Sequence, residues 1–105
     1  MNYLDELLNN KVVFFRFLAE TEPVFTGANV FLRDIQFGIK YFFEKKDIKL
    51  KYPEAEKLAT DFINALVETG DLTVVMENTW KLNLDFKEEQ QKQEEPETQS
   101  PATKN

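Results

Sequence analysis

The chain has 105 residues, a formal net charge of −6 at pH 7, and neither cysteine nor histidine. This length allows one domain, and the missing residue types exclude disulfides, thiolate chemistry, the usual zinc sites and histidine-based catalysis. The first ten residues are acidic, and no apolar run approaches the ~18 residues of a membrane span. We therefore expect a cytoplasmic protein with no signal peptide and no association with a membrane.

The C-terminal segment differs from the rest of the chain. Residues 87–105 contain a single apolar residue, Ala102, among polar residues and two prolines. Such a composition cannot bury enough surface to offset chain entropy, so we predict a disordered acidic tail after one domain that spans 1–86. Because nearly all apolar residues lie in that domain, its apolar content exceeds what a small subunit normally buries. A homodimer or another protein partner is the expected place for the excess.

The N-terminal region is predicted to be helical. A first helix starts at Asn2, and Asn10 either caps a second helical segment or forms a polar turn of the same helix. Residues 12–18 are nearly all apolar, and we predict helix there, although their β-branched and aromatic side chains also suit a buried strand. Pro23 ends this region, because the residue before a proline is pushed out of helical geometry.

A long central helix is predicted next, capped by Thr26 and running to about Lys46. Its apolar residues form two faces, which indicates a helix that is central in its own fold or shared with another chain. Aromatic residues at helical spacing indicate core or interface more often than the lining of a ligand cavity. The residues expected at a dimer interface come from the first two helical regions and are Phe14, Phe17, Phe31, Phe37 and Tyr41.

The segment "DIKLKY" alternates strictly between apolar and polar residues, which predicts a short, half-buried strand. Four lysines lie in or beside it: Lys45, Lys46, Lys49 and Lys51. These lysines contact phosphates or an acidic partner, or they simply discourage unwanted pairing at a strand edge. The sequence alone does not distinguish between these two interpretations.

A final helix and a hairpin follow. Pro53 suits the first position of a helix, and Gly70 suits its left-handed end. Two alternating apolar runs on either side of "ENT" then predict a β-hairpin with a three-residue loop, which pairs Val74 with Leu82. A two-residue loop would mix the faces, although Thr79 is unusual at the positive φ of a three-residue loop. The longer loop places six side chains on the inward face: Leu72, Val74, Met76, Trp80, Leu82 and Leu84.

The predicted order is helix, helix, strand, helix, strand, strand, which is an α+β, mostly helical domain. Residues 28–86 resemble the winged-helix superfamily through the apolar period of "EKLATDFINALVETGDL", the helix-ending Gly70 and the hairpin that ends in "WKLNL". The superfamily usually has a short extra helix before the helix that precedes the hairpin, and here "DIKLKYPE" fills that space. In its DNA-binding members, the helix before the hairpin enters the major groove, and basic residues on both elements meet phosphates.

The charges of this chain do not suit DNA binding through the last helix and the hairpin. The matching helix has four acidic side chains against Lys57 alone, and Lys81 is the only cation of the hairpin. We predict a non-catalytic protein-interaction or regulatory module that forms a homodimer. The alternatives are a winged-helix DNA-binding transcriptional regulator that uses Lys45 to Lys51, and an acidic DNA mimic. The carboxylates are scattered and no phosphate-binding glycine loop is present, so no catalytic, cofactor or metal site is expected.

Overall fold

Within residues 2–86, which the computed structural model describes, the chain forms an α+β domain with four helices and a three-stranded antiparallel sheet. The tail predicted for 87–105 lies outside the described residues. The elements in chain order are α1 (Tyr3–Asn9), α2 (Lys11–Leu18), β1 (Asn29–Phe31), α3 (Leu32–Glu44), α4 (Tyr52–Thr69), β2 (Leu72–Met76) and β3 (Thr79–Leu82). The strand order in the sheet is β1-β3-β2.

The N-terminal region is helical, as predicted, and it divides into two helices at Asn10. The Oδ1 atom of Asn2 accepts hydrogen bonds from the N–H groups of Leu4 and Asp5, at 2.8 and 3.3 Å, and thereby caps α1. Asn10 does not cap α2 with its side chain, whose Nδ2 instead donates to the carbonyl of Glu6 at 2.8 Å. The alternative of a buried strand in this region is wrong.

The segment after Pro23 begins with a strand instead of a helix. Thr26 is not a helix cap, because its hydroxyl donates to the carbonyl of Leu84 at 2.9 Å. Gly27 takes a φ of 97° and leads into β1, where Val30 lies opposite Trp80 and is buried. Pairing with β3 satisfies backbone groups that the first turn of a helix leaves unpaired, and tertiary pairing here overrides the helical pattern. The helix itself is confirmed for Leu32–Glu44.

The strand predicted for "DIKLKY" is not formed. Asp47 takes a positive φ of 63°, and residues 48–50 have no regular structure. The N–H of Ile48 donates to the carbonyl of Phe43 at 2.9 Å, and Leu50 is buried in the core. The sheet consists of β1, β3 and β2, and this segment is not one of its strands, so its alternation reflects core packing alone.

The last helix agrees with the prediction. Helix α4 begins at Tyr52, and the carboxylate of Glu54 accepts a hydrogen bond from the N–H of Lys51 at 2.8 Å. It ends at Gly70, whose φ of 86° is the left-handed conformation expected there. Its fully buried side is made of small and apolar residues: Ala55, Ala59, Phe62, Ile63 and Leu66.

The turn between β2 and β3 is shorter than predicted. Met76 lies opposite Thr79, so the turn consists of two residues, of which Asn78 takes a positive φ of 60°. The predicted three-residue loop is wrong. Thr79 is spared the positive φ that its β-branched side chain tolerates poorly, and it pairs in the sheet.

Because Thr79 pairs in β3, strand β2 has one extra residue, Val75, which it accommodates internally. Val74 lies opposite Trp80 and not opposite Leu82, because the register shifts by one residue at Val75, as in a β-bulge. Leu72 lies opposite Leu82, and both are buried. The bulge therefore keeps the start of the hairpin on the core and redirects the part of β2 that follows.

The core lies where α2, α3 and α4 meet, and Phe14 is at its centre. Its ring centroid lies 5.2 Å from Phe15, 5.7 Å from Phe42 and 5.3 Å from Phe62 in edge-on arrangements. Gly38 allows α3 to approach α2 closely, since a Cβ atom there would lie 3.1 Å from the Cζ atom of Phe14. The core is thus held mainly by helices, with the sheet closing one side.

Candidate functional site

Helix α3 has an exposed aromatic stripe. Phe37 and Tyr41 are four residues apart, which places them on the same face, and they are 44% and 56% exposed. The opposite side of the helix is fully buried through Ile35, Ile39 and Phe43. We call Phe37 and Tyr41 the α3 stripe. Large aromatic side chains that stay in water beside a completed core are typical of a surface that binds another molecule.

A second exposed apolar surface lies near the tip of the hairpin. Register places Phe31, Thr79 and Met76 side by side across the three strands on the outer face. Thr79 is buried between these neighbours, whereas Phe31 is 48% and Met76 is 63% exposed. Val74 and Val75, at the shift in register, are 60% and 45% exposed. We call Phe31 and Met76 the hairpin patch.

The five aromatic residues expected at a dimer interface lie in different parts of the structure. Phe14 is fully buried within the domain, so its assignment to an interface is corrected: it is a core residue. Phe17 is partly buried, with its ring 6.2 Å from that of Phe42. Phe37 and Tyr41 form the α3 stripe, and Phe31 joins the hairpin patch because it belongs to a strand.

The four lysines of the basic segment do not act as one group. Lys46 lies 2.9 Å from the Oε2 atom of Glu6 in α1 and 5.1 Å from the ring centroid of Phe42. Lys45 lies 5.1 Å from the ring centroid of Phe17 in α2. These contacts hold the end of α3 against the N-terminal helices. The remaining two, Lys49 and Lys51, are exposed in the connection that leads to α4.

The exposed side of α4 is acidic. Glu54, Glu56 and Glu68 are exposed, and the Nζ atom of Lys57 lies 3.1 Å from the Oδ2 atom of Asp61 on the same helix. That ion pair reduces the positive charge that Lys57 offers to a ligand. The helix carries four carboxylates and one amine, and the resulting field repels phosphates.

A groove of about 510 Å³, which no sequence pattern indicated, lies between α1 and α4. Its charged groups already have partners, since Glu54 accepts a hydrogen bond from the N–H of Lys51 and Asp61 pairs with Lys57. Its remaining lining includes Tyr3, Leu4, Leu50, Pro53 and Leu58. Among the described residues, no group of His, Cys, Asp or Glu is placed to hold a metal ion.

The apolar residues of β2 are the functional candidates that sequence reasoning missed. Met76 does not face the core as predicted, because the bulge places it opposite Thr79 on the outer face. Val74 stays on the face of Leu72 and Trp80, but it is 60% exposed. The one available signal was the unsuitability of Thr79 for positive φ, which favoured a shorter turn.

In the part of the chain that the structure describes, none of the helices has both the length and the apolar character needed to cross a membrane. No family model, curated protein or solved structure matches this chain.

Proposed function

We propose that this protein is a non-catalytic protein-interaction or regulatory module of winged-helix type that forms a homodimer through α3. The observation that carries the proposal is the α3 stripe, two aromatic side chains one turn apart that are 44% and 56% exposed. Aromatic side chains are enriched at protein interfaces because they bury a large area at a small entropic cost.

The order of elements supports the winged-helix part of the proposal. Helix α3 directly precedes α4, and α4 runs into the β2–β3 hairpin. Helix α3 therefore takes the place of the extra helix that the superfamily usually has before the helix that precedes the hairpin. From the sequence, only "DIKLKYPE" was available for that place. Strand β1, which pairs with β3, connects the start of α3 to the hairpin in one sheet.

The charge of α3 supports a second copy of the chain as the partner. The whole chain carries −6, so contact between two copies is opposed by repulsion at most of its surface. Helix α3 is neutral, since Arg33 and Lys40 balance Asp34 and Glu44. Two copies can thus bring this helix together without placing net charge against net charge.

Sedimentation of the full chain tests the homodimer. We expect a dimer at micromolar concentration, and a dissociation constant at least roughly tenfold higher for Tyr41→Glu, since a charge buried at an interface costs more than 1.4 kcal/mol. Tyr52→Glu is the matched control, because Tyr52 is 54% exposed but lies on α4. A wild-type chain that stays monomeric at these concentrations would refute the homodimer.

A second candidate function is a DNA-binding transcriptional regulator. The observation that favours it is the exposure of Lys49 and Lys51 just before α4, the helix that DNA-binding winged helices place in the major groove. Against it stand the acidic exposed side of α4 and the engagement of Lys46 with Glu6. The balance of charge places this function second.

A further inference from the structure

The exposed face of α3 has opposite charges at its two ends. Arg33 lies four residues before Phe37 and is exposed near the start of the helix, and Glu44 lies three residues after Tyr41 and is exposed at its end. Spacings of three and four residues place these side chains on the face of the α3 stripe. Within residues 2–86, no ion pair joins Arg33 or Glu44 to another residue. The stripe therefore lies between a positive and a negative charge that are both available to a partner.

A second set of opposite charges flanks the stripe on the side of α2. Asp34 lies in the first turn of α3 and is partly buried, and Lys45 follows the helix directly and is exposed. Lys45 lies 5.1 Å from the ring centroid of Phe17, which identifies this flank as the one nearer α2. At about 3.6 residues per turn, Asp34 and Lys45 lie on this flank, and Arg33 and Glu44 lie on the other. Each flank thus has one negative and one positive charge at opposite ends of the helix.

This arrangement of charges is complementary to itself when two copies of α3 pack antiparallel. In such a two-fold contact, each pair of residues occurs twice, and the same flank of each copy comes together. With Phe37 opposite Tyr41 of the second copy, Arg33 is within one residue of being level with Glu44 of the second copy, about 1.5 Å along the axis. On the other flank, Asp34 approaches Lys45 of the second copy in the same way. Both flanks therefore bring opposite charges together.

Charges beside the helix disfavour parallel packing. The N–H of Leu32 donates to the carbonyl of Asn78 at 3.1 Å, so the start of α3 lies at the tip of the hairpin, where Glu77 is exposed. Parallel packing would place the two hairpin tips at the same end of the dimer, and their glutamates would repel. Antiparallel packing places each tip toward the other end of α3, where Lys45 and Lys49 are exposed. It also brings the negative end of each helix dipole to the positive end of the other.

We propose that the α3 stripe binds the α3 stripe of a second copy in antiparallel orientation, and that Arg33 and Glu44 determine this partner and its orientation. The aromatic side chains at the centre supply most of the affinity. The ion pairs at the flanks determine which helix is accepted, as charged residues beside the apolar seam do in coiled coils. This inference rests on the proposed homodimer and adds to it the orientation of the two helices and the residues that give specificity.

The test reverses one charge at a time in the full chain. Arg33→Glu and Glu44→Arg each place two contacts between like charges in the dimer, so we expect each variant to have a dissociation constant at least roughly tenfold above wild type in sedimentation. An equimolar mixture of the two variants restores both contacts between opposite charges. We expect it to form a heterodimer with a dissociation constant within about threefold of wild type, and native mass spectrometry identifies that heterodimer by its mass.

Both variants should fold, because glutamate near the start and arginine near the end of a helix suit the helix dipole, and circular dichroism checks this. Lys57→Glu and Glu56→Arg are the matched controls. They change the net charge by the same amounts but lie on α4, so each should dimerise as wild type does.

A further variant distinguishes the two orientations. In a parallel dimer, Arg33 would instead meet Asp34 of the second copy, because opposite flanks then come together. Asp34→Arg, added to Arg33→Glu, would restore a parallel dimer, whereas in the antiparallel dimer it sets two positive charges together and weakens association further. Restored dimerisation in this double variant would overturn the antiparallel orientation.

The outcomes separate this inference from the homodimer on which it rests. A wild-type chain that stays monomeric refutes both. A dimer that Tyr41→Glu dissociates, but that forms equally well with Arg33→Glu or Glu44→Arg, refutes only the antiparallel arrangement. The same holds if the two charge variants associate weakly and remain monomeric when mixed. A heterodimer from two variants that each associate weakly with themselves supports the inference.

Discussion

The Nζ atom of Lys11 lies 2.7 Å from the Oδ2 atom of Asp71, and this ion pair joins the start of α2 to the start of the hairpin. The same Oδ2 atom accepts a hydrogen bond from the hydroxyl of Thr69 at 2.9 Å. The side chains of Lys11 and Asp71 are 32% and 18% exposed, so water screens the pair only in part. The contact links two parts of the chain that are 60 residues apart.

A double-mutant cycle measures the strength of this ion pair. We expect Lys11→Met and Asp71→Asn to show a coupling free energy of about 1 kcal/mol in urea unfolding, because the pair is partly buried. The pair Lys57 and Asp61 is the control, since its side chains are 79% and 40% exposed, and we expect about 0.3 kcal/mol there. Equal coupling in the two pairs would contradict the role of burial.

Truncation of aromatic residues separates core from surface. We expect Phe14→Ala to lower the free energy of unfolding by about 3 to 5 kcal/mol, because Phe14 is fully buried among three other rings. Phe37→Ala should cost about 0.5 kcal/mol when measured at a concentration where the chain is monomeric. Urea unfolding checks both values. A cost for Phe37→Ala as large as that for Phe14→Ala would show that α3 packs differently from the structure.

Substitution of Gly38 tests the close contact between α2 and α3. Alanine should gain about 1 kcal/mol of helix propensity, but its Cβ atom would lie 3.0 Å from the Cδ1 atom of Leu18 and 3.1 Å from the Cζ atom of Phe14. Both neighbours are buried and have little room to move. We expect Gly38→Ala to be destabilising by about 1 to 2 kcal/mol. Asn64→Ala, at an exposed position of α4, is the control and should be slightly stabilising.

Glycine substitutions in the hairpin distinguish the two-residue turn from the three-residue loop. Asn78 has the positive φ, so Asn78→Gly should be neutral or stabilising and Asn78→Ala should cost about 1 kcal/mol. Thr79 is buried in the sheet, and we expect Thr79→Gly to cost at least about 1 kcal/mol. Thermal unfolding of the three variants gives the order of their stabilities. Stabilisation by Thr79→Gly would instead support the three-residue loop.

A gel-shift titration with duplex DNA at low salt tests the second candidate function. We expect no retardation at micromolar protein, because the exposed side of α4 is acidic. A shift that weakens steeply with salt and is lost in the double variant Lys49→Gln and Lys51→Gln would favour the DNA-binding regulator. Glu56→Gln is a useful companion, since it removes a repulsive charge from α4 without adding a positive one.

Local patterns predicted those elements whose boundaries depend on nearby residues. Helix α4 could be read from Pro53, its apolar period and Gly70, because capping and helical periodicity act over a few residues. The strand at Asn29–Phe31 could not, because its three residues are strand only through pairing with β3, some 50 residues away along the chain. The strand expected at "DIKLKY" does not form, although its residues alternate. An alternating pattern shows which side chains are buried, not whether a partner strand exists.

For the candidate site, the sequence by itself determined the chemistry available: an acidic last helix, an excess of aromatic residues and no histidine or cysteine. Tertiary structure alone decided which of those aromatic residues reach the surface. Phe14 and Phe37 have the same side chain and both were assigned to an interface, yet helix packing buries one fully and leaves the other 44% exposed. It also decided that Met76 lies on the outer face beside Thr79 and Phe31, because Thr79 pairs in β3 and a bulge at Val75 shifts the register of β2.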